Sequence, residues 1–136
     1  MADIAAIILR DRSGRYYVHQ RASTKQLYPD LFGLGAGGRI EVGEKPEIAA
    51  MRELKEETAI VAEPRALFAL DFEDSSVSHR IHVFETISDC DPLITHQEWQ
   101  WSGWLSQADV DRLSDQRRLC PDTLLFYKKY RAGENN

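Results

Sequence analysis

The chain has 136 residues, 43% of them apolar and 29% charged, with a formal net charge of −5. That size and apolar content suit one domain, residues 1–136, with a buried core, and argue against disorder; the acidic balance argues against a stable nucleic-acid partner, since phosphate backbones attract basic surfaces. No stretch reaches the ~18–20 apolar residues of a membrane span, no charged-then-apolar leader opens the chain, and Cys90 and Cys120 are too few for a disulfide framework, so reduced thiols and a cytoplasmic location are expected.

The apolar run Asp3 to Leu9 predicts a buried strand. Asp11-Arg12-Ser13-Gly14 is turn chemistry, and Tyr16 to Arg21 predicts a second strand, so the two should form a hairpin. A polar loop follows from Ala22 to Asp30, then a short strand from Leu31 to Leu34. The glycines at 33, 35, 37, 38 and 43 predict a loop leading into a helix over Pro46 to Thr58, with proline in the first turn, where its missing N–H is harmless. Pro64 ends that unit. Arg65 to Glu73 and His79 to Thr86 predict two strands joined by a turn at Asp74-Ser75-Ser76, and Glu98 to Leu105 another strand. Ser106 should cap a short helix to about Leu113, and a final helix should run from Asp122 or Thr123 to about Arg131, ended by Gly133, with a frayed tail from Glu134. The expected fold class is α+β, a mixed sheet flanked by helices.

Chemistry concentrates in one stretch. Glu53, Glu56 and Glu57 stand at i, i+3 and i+4, so a helix places their carboxylates within an arc of roughly 100°. Ile48, Met51, Leu54 and Thr58 fall on the opposite arc and are expected to face the core. Like charges so spaced cost about 0.2–0.5 kcal/mol per pair. A hard divalent cation would offset that cost, because Mg²⁺ takes carboxylate, water and phosphate oxygens. A solvated helix face is the alternative, with Arg52 paired to Glu56. The glycine-rich approach and Glu44 argue for the site, since surface decoration needs neither.

The run from Gly38 to Ile60, GRIEVGEKPEIAAMRELKEETAI, resembles the Nudix box: glycine, five residues, Glu44, seven residues, then Arg52-Glu53-Leu54-Lys55-Glu56-Glu57. It departs from the pattern at Ala59, where the family has glycine, so this residue is expected to end the helix in a left-handed conformation. The resemblance implies an α/β/α sandwich and cleavage of a diphosphate linkage with Mg²⁺ or Mn²⁺. It implies that Glu53, Glu56 and Glu57 ligate metal, that a carbonyl at or beside Gly37 joins them, and that Arg52 orients a glutamate. Glu98, six residues before Trp104, fits a further acid of the family as metal ligand or general base, with a raised pKa expected from its acidic neighbours. Trp99, Trp101 and Trp104 are expected in the core, with nucleobase stacking the alternative. A small-molecule diphosphate is the expected partner, and the resemblance admits a homodimer.

Gln20 to Pro29 also resembles the matching segment of isopentenyl-diphosphate isomerases, which share the Nudix fold. The likeness implies that Arg21 and Lys25 meet a diphosphate, with Arg39 beside them. The isomerase itself requires a cysteine and a histidine where this chain has Gly37 and Arg39. The expectation is therefore a hydrolase of the isomerase-like branch, acting on a nucleoside diphosphate linked to another moiety. An isomerase and a non-catalytic binding module are the alternatives; the module would be expected to have lost box acids, and all are present. Ser75, Ser76 and Val77 stand where some relatives carry a specificity-marking proline or tyrosine, so no substrate is singled out.

Overall fold

The computed structural model describes residues 1–134. Strand β1 (Ala2–Arg10) is followed by β2 (Tyr16–Arg21), β3 (Phe32–Leu34), β4 (Ala36–Arg39), helix α1 (Pro46–Thr58), β5 (Arg65–Glu73), β6 (Ser78–Ile87), β7 (Trp99–Leu105), α2 (Gln107–Asp115) and α3 (Pro121–Glu134). β1 lies at the centre because it is apolar on both faces, as a strand covered on both sides must be. Ala5, Ile7 and Leu9 meet Ala49, Ala50 and Leu54 of α1. Ala6 and Ile8 join the opposite core with Val110 and Leu113 of α2 and Phe126, Tyr127 and Tyr130 of α3. The result is a mixed α/β/α sandwich of α+β class, as the sequence leads one to expect.

The sheet is mixed at β1. It runs parallel to β6 along Ala2–Arg10, and β5 completes that side antiparallel to β6. The other edge of β1 is shared. β4 takes it antiparallel from Ile4 to Ile7, and β2 touches it only at Arg10↔Tyr16. The expected hairpin is thus reduced to one pairing, because β2 turns away to carry β3 and β7. The site lies near the opening this leaves between β4 and β2.

Four other expectations are corrected. Ala36–Arg39, expected as loop, is a strand, because the free edge of β1 supplies its hydrogen-bonding partners. Ile48, expected in the core, is 53% exposed. The buried stripe of α1 is Ala49, Ala50, Leu54 and Thr58, whose alanines let the helix approach the sheet closely. Helix α2 reaches Asp115, two residues beyond Leu113. Helix α3 starts at Pro121 and passes through Gly133 to Glu134, whose carboxylate pairs with Arg10 at 2.8 Å; Asn135 and Asn136 lie outside the described residues. Other local readings agree with the structure. Ser106 caps α2 by accepting from the Asp109 N–H at 3.1 Å. Ala59 ends α1 at φ 66°, its N–H donating to Lys55 O.

Candidate active site

The site is assembled where β3 turns into β4 and α1 packs on both. Gly35 makes the turn at φ 57°, and a Cβ there would lie 1.9 Å from Ile7 O, so no other residue fits. β4 then pairs with β1 in a fixed alternation. The Ile40 N–H donates to Asp3 O, so the next bonded pair is Ala5–Gly38, and Gly37 turns its N–H and C=O away from β1. The Gly37 N–H meets Glu57 Oε1 at 2.7 Å, and its carbonyl lies on the same open edge. Gly38 makes room for a neighbour: a Cβ there would fall 2.4–2.6 Å from the carboxylate atoms of Glu53.

Glu53 and Glu57 do not lie opposite the buried face of α1, as the helical arc suggests. They flank it, partly buried against β4, while Glu56 is exposed. Arg52 sits between the acids. Its Nη1 donates to Glu53 Oε1 at 2.7 Å and to Glu56 Oε2 at 3.4 Å; its Nε and Nη2 donate to Glu44 at 2.9 Å each. Glu44 in turn accepts from the Glu41 N–H at 3.0 Å, closing the loop before the helix. Arg52 therefore fixes one glutamate of the cluster and the loop at once.

Burial raises the Glu57 carboxyl to about 8, against the pull of the Gly37 N–H, and the charges of Glu53, Glu98 and Glu56 push it further. Burial likewise raises Glu53, opposed by Arg52. Glu98 behaves otherwise than expected. It is shifted down, first because Lys25 Nζ donates to its Oε1 at 3.0 Å. Its side chain is 56% exposed, so solvent and an ion pair replace the crowding that would have raised it.

These groups share one cleft of about 410 Å³. Glu53, Glu56 and Glu57 of α1 line it together with Arg21, Lys25 and Glu98, the last of these paired with Lys25, and Gly37, Gly38 and Trp99 complete the wall. Among the described residues, no three Asp, Glu, His or Cys side chains converge as a ready-made metal cage. Each of three acids is held by its own donor: Glu53 by Arg52, Glu57 by Gly37 and Glu98 by Lys25. The donor set is nonetheless what a hard cation requires: carboxylate oxygens, an outward carbonyl, and a buried carboxylate that lacks a cationic partner. Arg39 is not brought into the cleft. It lines a separate hollow with Asp3 and His82, because the strand alternation carries it past the acids, and only its carbonyl takes part, accepting from Arg52 at 3.1 Å.

A second cavity, about 180 Å³, opens from the same place and shares Arg21, Gly37, Gly38, Glu57 and Trp99 with the cleft. Its further walls include His19, Tyr28, Cys120 and Asp122. Sequence reasoning did not place His19, Tyr28, Cys120 or Asp122 beside the acids. No local motif marks His19, Cys120 or Asp122, and the segment Gln20 to Pro29 draws notice to Arg21 and Lys25 rather than to Tyr28, since β2, the following loop and the start of α3 meet only through the fold. Of the tryptophans, Trp99 stacks on His19 at 4.2 Å, Trp104 packs on Tyr17, and Trp101 is half exposed beside Phe32.

The family model of the NUDIX domain matches residues 2–123. An uncharacterized Nudix hydrolase of Streptomyces coelicolor is 30% identical over 131 residues, 90% of this chain and 70% of the relative. An RNA pyrophosphohydrolase of Sphingopyxis alaskensis is 30% identical over 130 residues, 80% of each chain. Among solved structures, a Deinococcus radiodurans protein matches with a TM-score of 0.81 at 22% identity, over 94% of this chain and 82% of that one, a likeness of fold. No helix among the described residues is long and apolar enough to cross a membrane. Fold and sequence agree, and the chain belongs to the Nudix hydrolase family.

Proposed function

We propose that this chain hydrolyses the diphosphate linkage of a nucleoside diphosphate joined to another moiety, with Mg²⁺ or Mn²⁺, in the cytoplasm. The observation that carries this reading is the juxtaposition of opposite charges: three carboxylates of α1 share one cleft with Arg21, Lys25 and Glu98, and a second cavity opens beside them. Gly37 O, Glu53, Glu56 and Glu57 would hold the metal, which supplies charge neutralisation at the phosphate oxygens and a water of lowered pKa. Arg52 keeps Glu53 aimed and prevents the acids from repelling one another apart. Lys25 and Arg21 bind the diphosphate. In exchanging Glu98 for phosphate, Lys25 leaves that carboxylate free to take a proton from the attacking water. The adjoining cavity receives the group carried by the diphosphate, with Tyr28 and Asp122 as its polar walls. The relative named as an RNA pyrophosphohydrolase supports a nucleotide-linked substrate.

The test is phosphate-release measurement over nucleoside triphosphates, nucleotide sugars, dinucleoside polyphosphates and ADP-ribose, with and without Mg²⁺ or Mn²⁺. Metal-dependent cleavage of one class is expected. No cleavage of any with either metal, and no isomerisation of isopentenyl diphosphate, would leave the chain a binding module.

One observation favours isomerase chemistry as a second reading. Cys120 lines the cavity that also contains Gly37 and Glu57, and burial raises its thiol to about 12, so it stays protonated there. Conversion of isopentenyl to dimethylallyl diphosphate would establish that reading; its absence, with hydrolysis present, removes it.

A further inference from the structure

Three groups of the cleft come from parts of the chain that are far apart: Gly37 from β4, Glu57 from the last turn of α1, and Glu98 from the segment before β7. Their spacing depends on what ties those parts together. A helix leaves its last four carbonyls without intrahelical donors. In α1, Lys55 O is satisfied by the Ala59 N–H and Thr58 O by the Leu93 N–H at 2.9 Å. Glu57 O is met by a side chain, His96 Nε2 at 3.2 Å. The other ring nitrogen of His96 accepts the Glu98 N–H at 3.3 Å. One imidazole thus joins the backbones of two acids of the cleft.

The two bonds require a single arrangement of the ring. A carbonyl only accepts, so Nε2 must carry the proton; a backbone N–H only donates, so Nδ1 must present its lone pair. Neutral imidazole in its Nε2–H tautomer satisfies both, and no other form does. The ring is also held from the side. His96 packs edge-on against Trp99 at 4.7 Å, and Trp99 stacks parallel on His19 at 4.2 Å. His19 Nδ1 donates to Gly35 O at 2.8 Å, at the turn that launches β4. Gly33 leaves space for this, since a Cβ there would lie 2.4 Å from His19 Nε2. The column His19–Trp99–His96 therefore contributes Trp99 to the cleft wall and ties together the turn before β4, the end of α1 and the segment before β7.

We propose that His96 is a positioning residue: its ring sets the separation of Glu57 and Glu98 by bridging their backbones, with Trp99 and His19 as the rigid packing behind it. This rests on the hydrolase reading of the cleft. Glu98 precedes the first residue of β7 and gains no ladder partner through its N–H; apart from Lys25, its hold is the Ala22 N–H donating to its carbonyl at 2.9 Å and the bond to His96. Without the imidazole, Glu57 O and the Glu98 N–H both lose their partners, and the two acids are no longer fixed relative to each other. Small displacements of reacting groups are costly in rate and in metal affinity.

Two measurements test this on the full chain, and neither depends on turnover. Nitrogen NMR of the metal-free protein in mildly alkaline buffer should show His96 as the Nε2–H tautomer; an Nδ1–H tautomer overturns the bridge. Titration with Mn²⁺ alone, followed by electron paramagnetic resonance, should show about tenfold weaker binding in His96→Ala. His96→Asn and His96→Gln, which each restore one of the two bonds, should fall between it and the unaltered chain. If His96→Ala binds Mn²⁺ within twofold of the unaltered chain, the positioning role is wrong, whatever its melting temperature. If the unaltered chain binds no Mn²⁺, the metal-dependent reading fails instead, and with it the role assigned to His96.

Discussion

Gly37 and Glu57 face each other across the gap between β4 and α1, the Gly37 N–H donating to Glu57 Oε1 at 2.7 Å. They are twenty residues apart in the chain, and the contact exists because β4 bonds to β1 through alternate residues and leaves Gly37 facing outward. The carboxylate it receives is partly buried, with no cation of its own. That combination makes Glu57 the most informative position to change.

Glu57→Gln keeps shape and removes the negative charge. Metal-dependent turnover should fall by about 100-fold or more, with the fold intact by circular dichroism. Activity within a few-fold of the unaltered chain would refute the metal-site assignment.

The same residue should give the metal-free protein a pH-dependent stability. Burial lifts the Glu57 carboxyl from 4.5 to about 8. Between those values the native state holds a proton that the unfolded chain has lost, so stability falls as pH rises. The contribution is fully present below about 4.5 and gone above about 8. Melting temperatures across this window should decline more steeply in the unaltered chain than in Glu57→Gln. Mg²⁺ or Mn²⁺ should reverse the loss at the alkaline end. Parallel curves for the two proteins would contradict the assignment of the buried charge.

Gly38→Ala tests the space beside Glu53. The new Cβ would stand 2.4–2.6 Å from the Glu53 carboxylate, which Arg52 holds at 2.7 Å. The far end of a flexible side chain can move, so the fold should survive. Metal affinity should weaken about tenfold or more, read by Mn²⁺ titration. Unchanged affinity would show that Glu53 is not held for a metal.

Ala59→Gly addresses stability alone. Ala59 sits at φ 66°, a conformation that strains any residue with a Cβ. Glycine should stabilise the protein by about 1 kcal/mol, raising the melting temperature by about 4 °C, with kcat unchanged. A lower melting temperature would mean that the methyl group contributes packing at the helix exit.

Much of this molecule is legible in local sequence because much of it is decided locally. The bounds of α1 follow from Pro46, the acid spacing and the break after Thr58, and even the left-handed Ala59 can be expected from the box. The apolar run of β1 announces a strand covered on both faces. The misreadings arise where a partner distant in sequence decides. The glycines of Ala36–Arg39 have little intrinsic preference for a strand, and the open edge of β1 makes them one. Ile48 has the right spacing for the core, but the face that α1 packs on the sheet carries Ala49 and Ala50 instead.

The sequence by itself determined the family, the helix that carries the acids and the identity of those acids, since helical spacing and a contiguous motif need no tertiary information. Only the tertiary structure decided how far each acid is buried, which donor holds it, and which residues line the cavity beside them. Those properties depend on desolvation and on distances between elements: Lys25 lowers Glu98, burial raises Glu57, Arg39 is carried away from the cleft, and His96 reaches both Glu57 and Glu98. No pattern of neighbouring residues encodes such relations, because each arises from segments that only the folded sheet brings together.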